Sequence, residues 1–124
     1  MQKKILIVED EPLIVKVLSI RLEGLGYKVV TAEDGEEGLE MAKTEHPDLA
    51  ILDIGLPRLD GNTLCELIKT EPSTKGTKVI MLTGKKLVGD MEVAFKSGAD
   101  VYINKPYEWP RLLGHVKKLL GERE

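Results

Sequence analysis

Cysteine is nearly absent: Cys65 stands alone, so no internal disulfide can form and a core must hold the chain together. No leader of charged then apolar residues opens the chain, and with a single thiol this sets a reducing cytoplasm as the expected compartment. The longest apolar runs are four to six residues, far short of the roughly 20 that cross a bilayer. A soluble protein without a membrane partner is expected. Aromatics are few and scattered, at Tyr27, Phe95, Tyr102, Tyr107 and Trp109, too thin a set for stacking on bases. Nor does one sign of charge dominate. The 18 basic and 21 acidic residues leave a net charge of -3 and are interspersed, which gives no footprint for direct nucleic-acid binding. The Lys85-Lys86 and Lys117-Lys118 pairs read as solvated helix faces. Linkers, repeats and low-complexity stretches are missing as well, so residues 1–124 are expected to form one domain.

What is present is enough apolar material for a core. At 124 residues and 42% hydrophobic content, a chain of this size buries about 70% of its unfolded surface. Five short aliphatic or β-branched runs, Ile5–Val8, Tyr27–Thr31, Leu49–Leu52, Val79–Leu82 and Val101–Ile103, alternate with amphipathic helical stretches. This is the βαβ pattern of an α/β fold. The first, third and fourth runs lack polar alternation, as parallel strands covered on both faces do, whereas Lys28 suits the second run to an edge. In the first helix Leu13, Ile14, Val17, Leu18, Leu22 and Leu25 are expected to face the core, and in the last Leu112, Leu113, Val116, Leu119 and Leu120. Asp34 and Asp60 fit helix N-caps, and Pro110 fits a first turn.

Ligands of an open α/β sheet bind beyond the carboxyl ends of its strands. Here those ends read Glu9-Asp10-Glu11-Pro12, Asp53-Ile54-Gly55, Thr83-Gly84 and Asn104-Lys105-Pro106. Each has a plainer reading alone: an acidic pair before proline is a common turn, a threonine ending a strand is a β-former, and a lysine before proline sits at a surface. Their placement after four different strands favours one shared site. Crowded carboxylates repel unless a cation is present, and hard oxygen ligands suit Mg²⁺ or Mn²⁺. Asp10 and Asp53 are the expected direct ligands, with Glu9 acting through water and the Gly55 carbonyl adding an oxygen. The Lys105 ammonium and the Thr83 hydroxyl complete a cradle for a phosphoryl group.

From Lys4-Ile5-Leu6-Ile7-Val8-Glu9-Asp10-Glu11 onward the whole chain resembles the response-regulator receiver family of bacterial two-component signalling. The resemblance is carried by the acidic pair before Glu11-Pro12, by Asp53-Ile54-Gly55-Leu56-Pro57, by Asp60-Gly61, by Leu82-Thr83-Gly84, by Ser97-Gly98-Ala99-Asp100 and by Lys105-Pro106. It implies a flavodoxin-like, doubly wound sheet of five parallel strands in the order 2-1-3-4-5 with five helices. It implies Asp53 as phosphoacceptor from a sensor histidine kinase or histidine phosphotransfer protein, with Lys105 and Thr83 assisting. Thr83 and Tyr102 are implied as the switch, and the fourth helix, fifth strand and fifth helix as the face met by a downstream target protein. The family's cis peptide matches Lys105-Pro106. The implied activity is a signalling one, not that of a turnover enzyme.

Four positions depart from the family pattern. Gly55 and Lys85 stand where phosphoryl lifetime is tuned, and Gly84 replaces the commoner alanine. Val101 and Arg111 replace the acids of a salt-bridged homodimer, so a monomer or weak dimer is expected. A haloacid-dehalogenase-type hydrolase would need a proton-transferring carboxylate where Gly55 stands. Flavin binding would need a Gly- and hydroxyl-rich loop in place of Glu9-Asp10-Glu11-Pro12. No output domain is evident, so a stand-alone regulator is expected; a receiver from a longer regulator with a DNA-binding or enzymatic domain is the alternative. His46 and His115 lack metal partners at ligand spacing. Cys65 reads as partly buried filler, and Trp109 as either a partner contact or a packed helix cap.

Overall fold

The computed structural model describes residues 2–84 and 98–122, with Thr83 through its backbone alone. Strands β1 (Lys4–Val8), β2 (Lys28–Ala32), β3 (Leu49–Asp53), β4 (Lys78–Thr83) and β5 (Val101–Asn104) pair in parallel in the order β2-β1-β3-β4-β5. Every strand boundary lies within one residue of the expectation. Helices α1 (Pro12–Gly24), α2 (Gly35–Glu45), α3 (Gly61–Thr70) and α4 (Trp109–Leu119) are described. The remaining expected helix, between β4 and β5, falls on residues 85–97, outside the described residues.

The strands are unbroken apolar runs because both of their faces are covered. Leu6, Val8, Ala50, Leu52, Val79 and Met81 face one side, where they pack with Ala42 of α2 and with Leu64, Cys65 and Ile68 of α3. Ile5, Ile7, Leu49, Ile51, Ile80 and Leu82 face the other, against Leu18 and Leu22 of α1 and Leu112 and Val116 of α4. Full burial of each Val, Leu, Ile or Met side chain among them contributes about 1.5–3 kcal/mol. Cys65 is fully buried rather than partly so. On edge strand β2, Lys28 and Thr31 remain exposed.

The helix starts follow from local chemistry. Asp34 caps α2 by accepting the Glu37 N–H at 2.8 Å, and Asp60 caps α3 by accepting the Thr63 N–H at 2.9 Å. Pro110 lies in the first turn of α4. The apolar face expected for α1 needs correction. Leu18 and Leu22 are buried, but Leu13 is 71% exposed, and Val17, Ile20 and Leu25 are exposed too. Apolar residues surround this helix, so its pattern alone does not say which side meets the sheet; packing against the sheet selects the Leu18–Leu22 side.

Two glycines set the site's floor. A Cβ on Gly61 would stand 2.2 Å from the Asp53 carbonyl oxygen, and one on Gly35 would stand 1.8 Å from that of Leu59. The start of α3 therefore presses directly on Asp53, and the start of α2 presses on Leu59 in the loop that follows it.

Candidate functional site

Strand β1 delivers Glu9 into a buried position, 3% exposed, where its own N–H is held by the Ala32 carbonyl at 3.1 Å. The Glu9 carboxylate accepts from the Asp10 N–H at 3.1 Å and the Glu11 N–H at 3.3 Å through Oε2, and from Lys105 Nζ at 3.1 Å through Oε1. Lys105 Nζ also lies 3.6 Å from Asp53 Oδ1. One oxygen from each of Glu9, Asp10 and Asp53 lies within 4.8 Å of the others. Glu9 is buried, Asp53 half-buried and Asp10 exposed, so the cluster opens to solvent on one side.

Three carboxylates share one ammonium, which leaves two negative charges, the charge of one divalent cation. Burial pushes the Glu9 carboxyl above its ordinary range, the Asp53 charge adds to this, and Lys105 opposes it. For Lys105 burial alone would pull the ammonium down. The hydrogen bond to Glu9 and the charges of Asp53, Glu9 and Glu11 outweigh that and raise it, so it stays charged at neutral pH. Hard oxygen donors, surplus negative charge and an open side fit a divalent cation that keeps part of its water.

The residues expected from four strand ends thus come together for Glu9, Asp10, Asp53 and Lys105. Gly55 runs beside Asp53, since a Cβ there would lie 3.9 Å from Asp53 Oδ2. Thr83 ends β4 with Asn104 as its Cα partner, directly before Lys105; its hydroxyl lies outside what is described. Tyr102 is 9% exposed and packs inward with the α2 and α3 side of the core. Lys105-Pro106 is cis. Sequence reasoning placed Glu9 behind a water and missed its direct pairing with Lys105. The signal available was its position at the end of the buried run Ile5–Val8. It also missed the ring of Trp109, which lies under the Arg21 guanidinium, 5.0 Å from Cζ to the ring centroid. No local pattern announces that contact.

The family described as "Response regulator receiver domain" matches residues 5–117. The alkaline phosphatase synthesis transcriptional regulatory protein PhoP of Bacillus subtilis is 42% identical over 124 residues, covering 100% of this chain and 51% of PhoP. The chain spans about half the length of the curated relatives it matches first. A CheY-like response regulator receiver domain protein from Methanospirillum hungatei superposes with a TM-score of 0.92 at 36% identity, covering 98% of this chain and 95% of that one. The receiver domain of a sensor histidine kinase from Pseudomonas aeruginosa has a TM-score of 0.89 at 30% identity, covering 98% and 100%; it was solved with a magnesium ion coordinated in its active-site cleft.

Proposed function

The chain belongs to the response regulator receiver family, and from that premise we propose that Asp53 accepts a phosphoryl group and that the protein signals through its phosphorylated form. Receiver domains are signalling modules that meet histidine kinases and downstream targets. The observation that carries the proposal is the Lys105 ammonium, 3.1 Å from Glu9 and 3.6 Å from Asp53, within a cluster of three carboxylates. An Asp53 Oδ forms the new bond to phosphorus while the bond to the donor's imidazole nitrogen or acyl oxygen breaks, and the donor leaves with the displaced electron pair. Lys105 neutralises charge that develops on the phosphoryl oxygens; the work is positioning and charge stabilisation rather than turnover. Asp10, Asp53, the Gly55 carbonyl and Glu9 would hold Mg²⁺, which when bound supplies further neutralisation. Thr83 and Tyr102 then relay the phosphorylated state toward β5 and α4.

A protein donor needs a foothold beside Asp53. Leu13, Val17 and Ile20 form an exposed apolar stripe on α1 at helical spacing, and it starts two residues after Glu11. We assign the donor to this stripe. The signal leaves by protein contact with a downstream target.

The test is incubation with acetyl phosphate, with and without Mg²⁺, followed by intact mass for wild type and Asp53→Asn. A single metal-dependent phosphoryl adduct that is absent in the variant supports the assignment. No adduct from acetyl phosphate or from a phosphorylated histidine-kinase donor overturns it. Ile20→Asp is expected to slow transfer from the kinase while leaving acetyl phosphate reactivity unchanged.

A further inference from the structure

We propose that Arg21 and Trp109 form a brace that positions Lys105, which makes Arg21, in the last turn of α1, a positioning residue for a reaction it does not touch. The proposal rests on the Asp53 acceptor reading and extends it.

Lys105 does not sit on a strand. It follows the last residue of β5, and the chain then passes through Pro106, Tyr107 and Glu108 before α4 begins at Trp109. One end of this short connection is fixed by the ladder in which Asn104 pairs with Thr83. The other end is held by side chains: Tyr107 and Trp109 pack, with Ile14, against the core on the α1 and α4 side. An open surface groove of about 420 Å³ is lined by Ile14, Lys105, Pro106 and Tyr107. On its groove side the segment meets solvent rather than packed side chains, so its two anchors hold it in place.

The Trp109 anchor is where Arg21 acts. Its guanidinium lies over the indole, 5.0 Å from the centroid, close enough for the ring's negative face to attract the cation. Arg21 is exposed, and among the described residues no ion pair is found for it. Among the described residues no carboxylate competes with the ring for its charge. Burial raises the Tyr107 phenol, and the charges of Lys105, Glu9 and Arg21 also reach it, so brace and site lie in one electrostatic neighbourhood. Helix α1 thus meets the connection at two points, with Ile14 lining the same groove and Arg21 over the ring at its far end. The ammonium lies between two carboxylates at 3.1 and 3.6 Å. A displacement of about 1 Å at such a group is enough to cost up to a hundredfold in rate, so partial loosening of the anchor is expected to be visible in the chemistry.

The experiment follows phosphorylation by acetyl phosphate in Mg²⁺ through intact mass against time, with Mg²⁺ affinity measured by calorimetry on the same samples. Arg21→Ala and Trp109→Leu are expected to slow phosphorylation about fivefold to tenfold, with Mg²⁺ affinity within about twofold of wild type. Arg21→Lys, which keeps a cation over the ring, restores most of the rate. An unchanged rate in Arg21→Ala overturns the brace, and so does a lowered melting temperature at an unchanged rate, which marks Arg21 as structural only. A fall in Mg²⁺ affinity that matches the fall in rate also overturns it, because the whole site would then have been disturbed. If the variants fail to fold, the wild type still decides: Trp109 is the only tryptophan. Its emission should shift on adding Mg²⁺ with beryllium fluoride and should not shift in Lys105→Met; a silent wild type overturns the proposal. Wild type that takes no phosphoryl group from any donor instead removes the Asp53 reading, and the brace with it.

Discussion

At the amino end of the sheet, Lys4 gives its ammonium to Glu45 at 3.1 Å and its N–H to Asp48 at 2.8 Å. Asp100 takes both the Lys69 ammonium at 3.1 Å and the Val79 N–H at 2.8 Å, and Tyr27 donates to Glu122. The buried Thr77 hydroxyl donates to the Pro47 carbonyl at 2.9 Å. At the carboxyl end Glu9, Asp10 and Asp53 share Lys105. Acids at the first end each have a donor from the chain, and their polar atoms stitch neighbouring elements together. Among the described residues the three acids at the second end share one ammonium, so the folded chain holds a repulsion that an added cation relieves. The lesson concerns sign: removing an acid should weaken the first end and, without metal, relax the second.

The largest expected effect lies at the carboxyl end. Asp10→Asn or Asp53→Asn should weaken Mg²⁺ binding by at least about tenfold to a hundredfold, the cost already typical of outer-shell changes, as read by calorimetry. Next in size is Thr77→Val at the amino end. It strands the buried Pro47 carbonyl and should destabilise the fold by about 1–3 kcal/mol, equally with Mg²⁺ and with chelator, in urea unfolding. A metal-dependent difference there would break the contrast between the two ends.

A smaller effect sharpens the contrast. In chelator, Asp10→Asn should raise stability by up to about 1 kcal/mol by relieving like-charge repulsion at an exposed position. Asp48→Asn, which weakens the acceptor for the Lys4 N–H, should lower it. If both variants shift stability in the same direction, the proposed division is wrong.

The smallest effect is in pH. The carboxyl of Glu9 titrates above its unfolded value of 4.5, so between those two values the folded chain binds more protons than the unfolded one. Its contribution to metal-free stability therefore grows as pH falls through the folded value and is complete below 4.5. Mg²⁺ should reverse this trend, because the cation and the proton compete for the same charge. Melting temperatures against pH, with and without Mg²⁺, test it, and parallel curves would count against a metal at Glu9.

Much of this was legible in advance, for local reasons. Apolar runs such as Leu49–Leu52 stop where a strand stops, so an acid such as Asp53 in the next position is marked as a strand-end residue. Asp34 and Asp60 declare helix starts because a carboxylate at that position accepts N–H groups only two or three residues on. Other features were not legible. Leu13, Val17 and Leu25 look as apolar as Leu18 and Leu22, and nothing in their spacing says which set the sheet will cover. Glu9 reads as one of a solvated acidic pair until Lys105 is seen against it. Trp109 reads equally well as exposed or packed until Arg21 lies over its ring.

The sequence by itself determined the number and kind of the strands, the edge character of β2, the helix caps, and the set of acids and the lysine that end the strands, because each is written in neighbouring residues. Only the tertiary structure decided the rotation of α1, the 3.1 and 3.6 Å placement of Lys105 between Glu9 and Asp53, the closeness of Gly61 to the Asp53 carbonyl, and the Arg21–Trp109 contact. These depend on strand register and helix packing, which join residues far apart in the chain, and a local pattern of side chains carries no record of them.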